Sequence, residues 1–403
     1  MRTACWDRAW MDTYLSEVAA GVENSKIRRM FNMASGMADV INLGIGEPDF
    51  DTPAPIVRAA IWAMKHGRTH YTANAGIPEL RTSIAEKATS ANYIRADPDK
   101  NVIITNGSIG ALYLVLRSVI DKGDEVLLPR PSWTNYEAQI AMSSGKIVPV
   151  CTSPQDGFLV TLDSLAAAIS PRTKALIINT PHNPTGTVYT RDLLEGISEL
   201  SIKHDFLIVS DEVYEKYVWD GTPHVSIASF PGMISRTITI NSFSKSYAMT
   251  GWRVGYAIGP ENIVRAMTKL QESVYACPCA ISQWAAIAAV ERDYECSAWM
   301  IEEYRRRRQY VLAEIHKNPS FELVVPHGSF YLFPKIRTPG IGSDKFALEL
   351  LRRQKVCVVP GTAFGPEGEG FIRLSYTANM ENLATALHRI NGFLSDILEE
   401  GDL

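Results

Sequence analysis

The stretch Asn241-Ser242-Phe243-Ser244-Lys245-Ser246, followed by Ala248-Met249-Thr250-Gly251-Trp252-Arg253-Val254-Gly255-Tyr256, decides how this chain is interpreted. It follows a predicted strand and places a lysine among small hydroxyl residues, with an arginine shortly after. The lysine amine can condense with an aldehyde, while the hydroxyls and the guanidinium can bind a phosphate. Pyridoxal 5′-phosphate carries both an aldehyde and a phosphate, so the stretch predicts a site for this cofactor.

Length and composition predict an ordinary soluble globular protein. The chain has 403 residues, of which 46% are hydrophobic, enough for two or three domains with a sizeable core. Charged residues make up 21% and the formal net charge is −4, so no basic excess indicates a nucleic-acid partner.

The ends of the chain and its cysteines predict a cytoplasmic protein. Residues 1–8 lack the apolar core of a signal peptide, and the longest apolar run, residues 284–290, is too short to span a membrane. The six cysteines are expected to be buried or partly buried free thiols. Cys277-Pro278-Cys279 does not have zinc-site spacing, and no metal site is expected.

Short apolar runs alternate with helical patterns between about residues 100 and 260. Most are rich in Val or Ile with little polar alternation, which is typical of strands buried on both faces. The runs are residues 102–105, 125–128, 146–150, 175–178, 206–209, 237–240 and 254–258. Intervening helical segments, such as residues 191–204, favour an α/β fold with a mostly parallel seven-stranded sheet flanked by helices.

The pattern changes after about residue 297. Residues 300–316 predict a helix, whose basic run at 305–308 is interpreted as a solvated face beside Glu302, Glu303 and Glu314. Four strand candidates, at 321–325, 329–333, 356–359 and 371–374, predict a smaller α+β domain. We therefore expect an N-terminal segment at 1–48 packing on this small domain, a large domain at 49–297 and the small domain at 298–403.

One acidic residue and one aromatic residue follow the predicted strand at 206–210. In open parallel sheets ligands bind beyond the carboxyl ends of strands, which is where Asp211 and Tyr214 lie. A carboxylate there can pair with a pyridinium nitrogen, and Tyr214 can donate to a ring oxygen. The alternative reading of Asp211 is a helix N-cap.

Three further loops carry candidate residues. The first loop is Asn179-Thr180-Pro181-His182-Asn183-Pro184-Thr185-Gly186. Its prolines and glycine are expected to fix an irregular loop that holds the Asn183 side chain in one direction. The alternative is that the segment is simply a turn. The turn around Gly107 and Ser108 leads into a helix start that can attract phosphate. Trp133 can cover an aromatic ring or can be a core residue. Lys245 itself can be an ordinary exposed lysine, but its occurrence in order with these groups favours a site.

These motifs resemble those of class I aminotransferases of the fold-type I pyridoxal-phosphate enzymes. The resemblance runs from about Ile27 to about Leu394 and is closest to the prokaryotic-type aspartate/aromatic branch. The matching motifs are Ser242-Phe243-Ser244-Lys245, Met249-Thr250-Gly251-Trp252-Arg253-Val254-Gly255-Tyr256, Asn183-Pro184-Thr185-Gly186, Asp211-Glu212-Val213-Tyr214, Gly44-Ile45-Gly46-Glu47-Pro48-Asp49-Phe50, Tyr71-Thr72-Ala73-Asn74-Ala75-Gly76, Pro360-Gly361-Thr362-Ala363-Phe364-Gly365 and Phe371-Ile372-Arg373-Leu374-Ser375-Tyr376.

The resemblance implies a role for each matched position. Lys245 would form the Schiff base and later move the proton, while Asp211 would hold the pyridinium nitrogen. Asn183 and Tyr214 would bind the ring oxygen, and Trp133 would stack on the ring. The phosphate would be bound by the turn at Gly107, Ser108, the Ile109 amide, Ser242, Ser244 and Arg253. Arg373 would clamp the substrate carboxylate, with Gly46 and Asn183 assisting.

The resemblance also implies a homodimer with shared active sites, because Tyr71 would reach the phosphate of the neighbouring subunit. One departure is Ile109, at a position where relatives often have polar residues. Since only its backbone N–H is needed, the phosphate site is still expected.

The implied reaction is a ping-pong transfer of the amino group of an L-amino acid to 2-oxoglutarate or pyruvate. A carbon–sulfur β-lyase or an aminocyclopropane carboxylate synthase would use the same lysine, aspartate and arginine, and stays an alternative. An inactive regulatory homologue is a third reading, disfavoured by the intact residue set. The spacing does not identify a second cation for a dicarboxylate substrate, so the donor stays open.

Overall fold

The computed structural model describes residues 14–22, 24–338 and 340–400. Its strands are β1 (Ile41–Asn42), β2 (Val102–Thr105), β3 (Glu125–Arg130), β4 (Lys146–Cys151), β5 (Thr173–Asn179), β6 (Leu207–Asp211), β7 (Thr237–Ser242), β8 (Gly255–Ile258), β9 (Phe321–Glu322), β10 (Tyr331–Leu332), β11 (Lys335–Ile336), β12 (Val356–Cys357), β13 (Val359–Pro360) and β14 (Ile372–Ser375).

The helices connect and flank these strands. They are α1 (Glu17–Gly21), α2 (Lys26–Ser35), α3 (Ala54–Lys65), α4 (Pro78–Asn92), α5 (Gly107–Val119), α6 (Thr134–Met142), α7 (Leu162–Ala168), α8 (Arg191–His204), α9 (Phe243–Ser246), α10 (Glu261–Tyr275), α11 (Ala280–Glu291), α12 (Asp293–His316), α13 (Ser343–Gln354) and α14 (Met380–Glu400).

Within the described residues, seven strands form one central sheet in the order β2-β8-β7-β6-β5-β3-β4. The pairs among β4, β3, β5, β6 and β7 are parallel, whereas β8 runs antiparallel to both β7 and β2. The prediction of a mostly parallel seven-stranded sheet is therefore confirmed. Each predicted run coincides with an observed strand to within about two residues at either end.

Alternate residues of the central strands pack on opposite faces of the sheet. Val126 and Ile177 belong to a core with helices α5 and α10, while Leu127 and Leu176 belong to a second core with α7 and α8. Because side chains alternate along a strand, helices on both faces require apolar residues at every position. This explains the continuous apolar runs in the sequence.

A further core lies around α12, α13 and α14. Short strands surround it in separate small sheets, β10-β14-β13, β9-β11 and β1-β12. Met30 and Ala34 of α2 and Leu43 belong to this core, and β1 pairs in parallel with β12. These described residues of the predicted N-terminal segment contact this core, whereas residues 1–13 lie outside the described residues, and the segment at 1–48 stays a prediction. The boundaries at 48/49 and 297/298 stay predictions, and α12 runs through the second.

The predicted solvated basic face on α12 is wrong for two of its four arginines. Arg307 and Arg308 are each 3% exposed. Arg307 donates to Asp49 at 2.7 Å, and Arg308 donates to Asp220 at 2.6 Å. Burying a guanidinium requires such partners, and both lie on segments that are distant in the sequence. The sequence pattern alone therefore did not reveal them.

The described cysteines, at positions 151, 277, 279, 296 and 357, are free thiols. Cys151 and Cys279 are exposed, so the expectation that they are at least partly buried is wrong for these two. In the part of the chain that is described, the helices are too short or too polar to cross a membrane.

Candidate active site

Most of the predicted site residues line one cavity of about 520 Å³ beyond the carboxyl ends of the parallel strands. They come from loops that follow β2, β3, β5, β6 and β7, together with residues near β1 and in β14. The predicted residues on its wall are Gly46, Ser108, Ile109, Trp133, Asn183, Asp211, Tyr214, Ser242, Ser244, Lys245, Arg253 and Arg373. Parallel strands end at one edge of a sheet, which is why loops so distant in sequence meet here.

Lys245 lies on the short helix α9 directly after β7. The Tyr217 hydroxyl donates to the Lys245 carbonyl at 2.8 Å, which holds this turn in place. The Lys245 Nζ donates to the Gly46 carbonyl at 2.5 Å. Burial disfavours the charged amine and lowers the pKa of Lys245 to about 8, with Arg373 and Arg253 acting in the same direction. A substantial fraction of neutral amine is therefore available near neutral pH.

Asp211 is buried at the end of β6. Its Oδ2 accepts a hydrogen bond from the Tyr136 hydroxyl at 2.7 Å, and its Oδ1 accepts from the Val213 amide at 3.3 Å. Burial raises the pKa of Asp211 to about 6, while the Tyr136 hydrogen bond opposes that rise. Among the described residues the carboxylate accepts only these two hydrogen bonds, so it retains lone pairs for a cationic ring nitrogen. Sequence reasoning missed Tyr136, although it lies one helical turn after Trp133.

A second polar cluster lies directly behind Asp211. The Glu212 carboxylate is fully buried and contacts the Ser226 hydroxyl at 2.8 Å and His224 Nε2 at 3.0 Å. Glu215 pairs with Lys87. One carboxylate oxygen each of Glu212 and Glu215 and one ring nitrogen of His224 lie within 4.8 Å of one another. These contacts fix the turn after β6 and hence the position of Asp211.

The turn before α5 meets the turn before β8 at one corner of the cavity, here called the phosphate corner. Gly107 has φ of +71°, and a Cβ there would lie 2.4 Å from Arg253 Nη2. Only glycine allows this close approach without displacing the guanidinium. Arg253 Nη1 donates to the Thr250 carbonyl at 2.8 Å, and the Ser242 and Ser244 hydroxyls are 2.9 Å apart. Gly107 itself lies behind Arg253 and does not line the cavity.

Arg373 is buried on β14 at the opposite side of the cavity. Its Nη1 donates to the Asn183 Oδ1 at 2.9 Å and its Nη2 to the Gly44 carbonyl at 2.5 Å. The guanidinium lies 4.4 Å from the centre of the Tyr331 ring. Its Nε is buried without a hydrogen-bond partner, so this guanidinium still has a donor to satisfy. Burial lowers the pKa of Arg373.

Tyr331 is a wall residue that sequence reasoning missed. Its hydroxyl lies 2.9 Å from the Tyr214 hydroxyl. A Cβ at Gly46 would lie only 1.8 Å from this hydroxyl, which explains the glycine. Nothing in the local sequence of β10 signals this role, because it arises when the small sheet packs against the loop after β6.

The positions of two further predicted residues, Tyr71 and Trp133, differ from each other. Tyr71 is 90% exposed and does not line the cavity. Trp133 lines it and makes an edge-on contact with Tyr136, with ring centres 5.4 Å apart.

The donor set fits pyridoxal 5′-phosphate. The hydroxyls of Ser242 and Ser244 with Arg253 suit a phosphate, and the buried Asp211 suits a ring nitrogen that must stay protonated. Lys245 supplies an amine with a lowered pKa. The unpartnered Nε of Arg373, and the close approach of the Arg253 guanidinium that Gly107 allows, agree with anionic groups binding in this cavity.

Comparison with known families settles the relationship. Residues 38–390 match the model of the family described as aminotransferase class I and II. The chain belongs to this family. It is accordingly an enzyme that depends on pyridoxal phosphate and transfers an amino group, as the sequence predicted.

Named relatives align over nearly the whole chain. The chain is 43% identical to an aspartate aminotransferase of Pyrococcus abyssi over 93% of its own length and 97% of the relative's. It is 42% identical to an aromatic-amino-acid aminotransferase 2 of Thermococcus litoralis, over 95% and 98% of the two chains. A solved aspartate aminotransferase from Thermus thermophilus with maleate superposes with a TM-score of 0.89 at 36% identity, covering 94% and 99%.

Proposed function

We propose that the chain moves the amino group of an L-amino acid to a 2-oxo acid, 2-oxoglutarate or pyruvate, in two successive half-reactions at this cavity. The observation that carries the proposal is the convergence of the buried residues Lys245, Asp211 and Arg373 on one cavity. Each supplies a different requirement of amino-group transfer: a base, an electrostatic partner for the ring and a carboxylate anchor.

Lys245 acts as the base and proton carrier. When bound, the cofactor supplies an electron-withdrawing ring that stabilises negative charge on the substrate α-carbon. With a pKa of about 8, the Lys245 Nζ is neutral often enough to accept the α-proton and acidic enough to return it. Its contact with the Gly46 carbonyl keeps the amine at the floor of the cavity.

Asp211 keeps the ring nitrogen protonated. An ionised carboxylate in a buried site interacts strongly with a cationic partner, and Tyr136 orients it. Asn183 and Tyr214 would donate to the ring oxygen, and Trp133 would cover the ring. The phosphate would be held by Ser108, the Ile109 amide, Ser242, Ser244 and Arg253.

Arg373 binds the substrate α-carboxylate. A guanidinium presents a planar fork that matches a carboxylate, and Asn183 and Gly44 fix its orientation. The stacking of Tyr331 on this guanidinium further restricts its motion. Gly46, whose missing side chain leaves room for the Tyr331 hydroxyl, assists Arg373 at this end of the cavity.

The active enzyme is a homodimer in which Tyr71 of one subunit completes the phosphate site of the other. Support comes from three large apolar or aromatic side chains that are exposed within ten residues of sequence, Tyr71 (90% exposed), Trp62 (44%) and Met64 (48%). Patches of large apolar side chains are typical of protein interfaces. The exposed free thiols of Cys151 and Cys279 support a reducing compartment, the cytoplasm.

The reaction is tested by mixing the purified holoenzyme with single amino acids in the absence of an acceptor. We expect loss of the cofactor's visible absorbance together with one equivalent of 2-oxo acid, and recovery of the absorbance on addition of 2-oxoglutarate or pyruvate. Release of pyruvate with ammonia would indicate β-elimination instead. An unchanged spectrum with every donor would contradict the proposal.

A further inference from the structure

The cavity has a wall that the motifs did not predict, contributed by helix α2. Ile27 and Arg28 line the same cavity as Lys245 and Arg373. The helix is held firmly: Lys26 Nζ donates to Asp344 at 3.0 Å and to Thr362 at 2.9 Å. Met30, one turn after Ile27, is buried in the core around α13 and α14. Arg28 is therefore carried to the cavity by a fixed helix.

The charges on the cavity wall do not balance under the proposed function. The described lining residues include four cations, Arg28, Lys245, Arg253 and Arg373, and one carboxylate, Asp211. Lys245 is used by the cofactor aldehyde, Arg253 by the phosphate and Arg373 by the substrate α-carboxylate. Asp211 is used by the ring nitrogen. Arg28 is left without an anionic partner.

Arg28 also has no carboxylate partner in the protein within the described residues. Its guanidinium lies 5.3 Å from the centre of the Phe31 ring, and its side chain is exposed to solvent. The neighbouring Lys26, by contrast, is neutralised by Asp344. An unpaired arginine facing a cavity filled by anionic ligands is suited to bind a carboxylate bidentately.

The other described residues on the wall include no competing cation. Ile27, Ile109, Trp133 and Tyr331 provide apolar or neutral surface around the position of the substrate. In particular, Ile109 cannot contribute charge at the phosphate turn. A second carboxylate on the substrate would therefore find its partner on α2.

We propose that Arg28 binds a second carboxylate, on the side chain of the substrate, and so selects dicarboxylic amino acids and dicarboxylic 2-oxo acids. The inference rests on the proposed function, because it uses the assignments of Lys245, Arg253 and Arg373 to account for the other cations. It names the substrate class that the motifs left open.

The test compares Arg28→Gln with Arg29→Gln in the holoenzyme. Arg29 is the next residue on the same helix and is likewise exposed, but it does not line the cavity, since adjacent helical side chains point about 100° apart. We expect Arg28→Gln to lower kcat/KM for aspartate and glutamate roughly 10- to 100-fold, the usual effect of losing a charge-assisted contact. With alanine and phenylalanine the change should stay within about threefold. Arg28→Lys should recover part of the loss, and Arg29→Gln should behave like wild type.

A binding measurement without turnover gives a second readout. Succinate and butanoate have the same chain length and differ by one carboxylate, and each is titrated against the absorbance of the holoenzyme. Wild type should bind succinate at least tenfold more tightly, and Arg28→Gln should lose that preference. Equal affinities in wild type, or a preference unchanged in Arg28→Gln, would overturn the inference.

The two hypotheses fail in different ways. Transamination of alanine or phenylalanine with no gain from a second carboxylate would leave the proposed function intact and refute the role of Arg28. Absence of transamination with every donor, despite bound cofactor, would refute the proposed function itself.

Discussion

Lys245 and Lys216 are both largely buried, and burial lowers the pKa of each to about 8. Only Lys245 lines the cavity, whereas Lys216 pairs with Asp293 at the start of α12. A lowered pKa therefore does not by itself identify the catalytic lysine. What distinguishes Lys245 is its position at the carboxyl end of β7, next to Asp211 and Arg253.

This pair gives a matched test of the lysine assignment. Lys245→Ala should abolish covalent attachment of the cofactor, measured by borohydride reduction, and lower turnover at least about 10³-fold, because the nucleophile and the base are lost together. Lys216→Met should keep that attachment and most of the turnover, although it breaks the ion pair with Asp293 and lowers the unfolding midpoint. Cofactor found covalently attached to Lys245→Ala after borohydride reduction would contradict the assignment.

Ionisation of Asp211 has opposite effects on stability and on activity. As the pH rises, it lowers the free energy of unfolding of the cofactor-free protein, whereas activity requires the ionised carboxylate. Its pKa rises from 3.8 to about 6 on folding, so the folded protein without cofactor binds the proton more tightly than the unfolded chain. The cost of burying the charge is therefore absent below about pH 4, grows as the pH rises through 6, and stays constant above that. A difference of this size corresponds to up to about 3 kcal/mol.

We accordingly expect Asp211→Asn to stabilise the cofactor-free protein at pH 8 by roughly 1–3 kcal/mol, with the gain vanishing near pH 4. The asparagine Oδ1 can still accept from Tyr136. The same change should lower activity at least about 100-fold, because a neutral amide cannot keep the ring nitrogen protonated. Urea unfolding at both pH values, beside steady-state rates, checks the two effects. Destabilisation at pH 8 would count against this account of the buried charge.

Residues with a local signal could be predicted, and residues without one could not. Lys245, Asp211 and Asn183 follow strands inside short distinctive motifs, so their meeting at one sheet edge was foreseeable. Tyr331 and Arg28 reach the cavity only because separate elements pack against it. Their neighbours in the sequence carry no motif that points to a ligand.

At the scale of elements, the start of helix α5 offers a test of the phosphate corner. Gly107 has φ of +71° and a Cβ there would meet Arg253, whereas the nearest atom to a Cβ at Gly110 is 3.4 Å away. We expect Gly107→Ala to lower the free energy of unfolding by about 1–2 kcal/mol and to weaken cofactor binding roughly tenfold or more.

Gly110→Ala is the control on the same helix. Replacing a helical glycine by alanine removes backbone freedom from the unfolded chain and should be neutral or stabilising by up to about 1 kcal/mol. Cofactor titration and thermal unfolding of both variants separate the effects. Equal cofactor affinity in the two variants would show that the turn does not shape the phosphate site.

Elements were easier to predict in the central sheet than around α12. Strands buried on both faces need unbroken apolar runs, and these were visible in the sequence. The strands β9 to β13 have only two residues each, so alternation over so short a distance gives little signal. The buried Arg307 and Arg308 were misjudged because their partners, Asp49 and Asp220, lie far away in the chain.

At the scale of the whole molecule, the exposed Tyr71 leads to a complementation test. Tyr71→Ala should weaken cofactor binding in a homodimer, and Lys245→Ala should be inactive. A mixed dimer of the two variants contains one site with Lys245 from one chain and Tyr71 from the other. Unfolding and refolding the variants together should therefore restore activity, up to about a quarter of wild type at limiting cofactor, above the sum of the separate variants.

The control is the same mixture without refolding, in which subunits have not exchanged. Recovery only after exchange supports sites shared across the interface. If the refolded mixture gives no more than the sum of its parts, while sedimentation shows mixed dimers, the sites are not shared.

Helix α2 is built into the core around α13 and α14, yet it lines the cavity at the edge of the central sheet. Donor choice and cofactor retention thus depend on separate pieces of the hydrophobic interior. Exchanging this segment between homologues should therefore transfer the preference for one amino-acid donor over another and leave the affinity for vitamin B6 unchanged. Natural variation, or a mutagenesis library confined to the codons of this helix, can therefore change the donor without altering the residues that carry out the reaction.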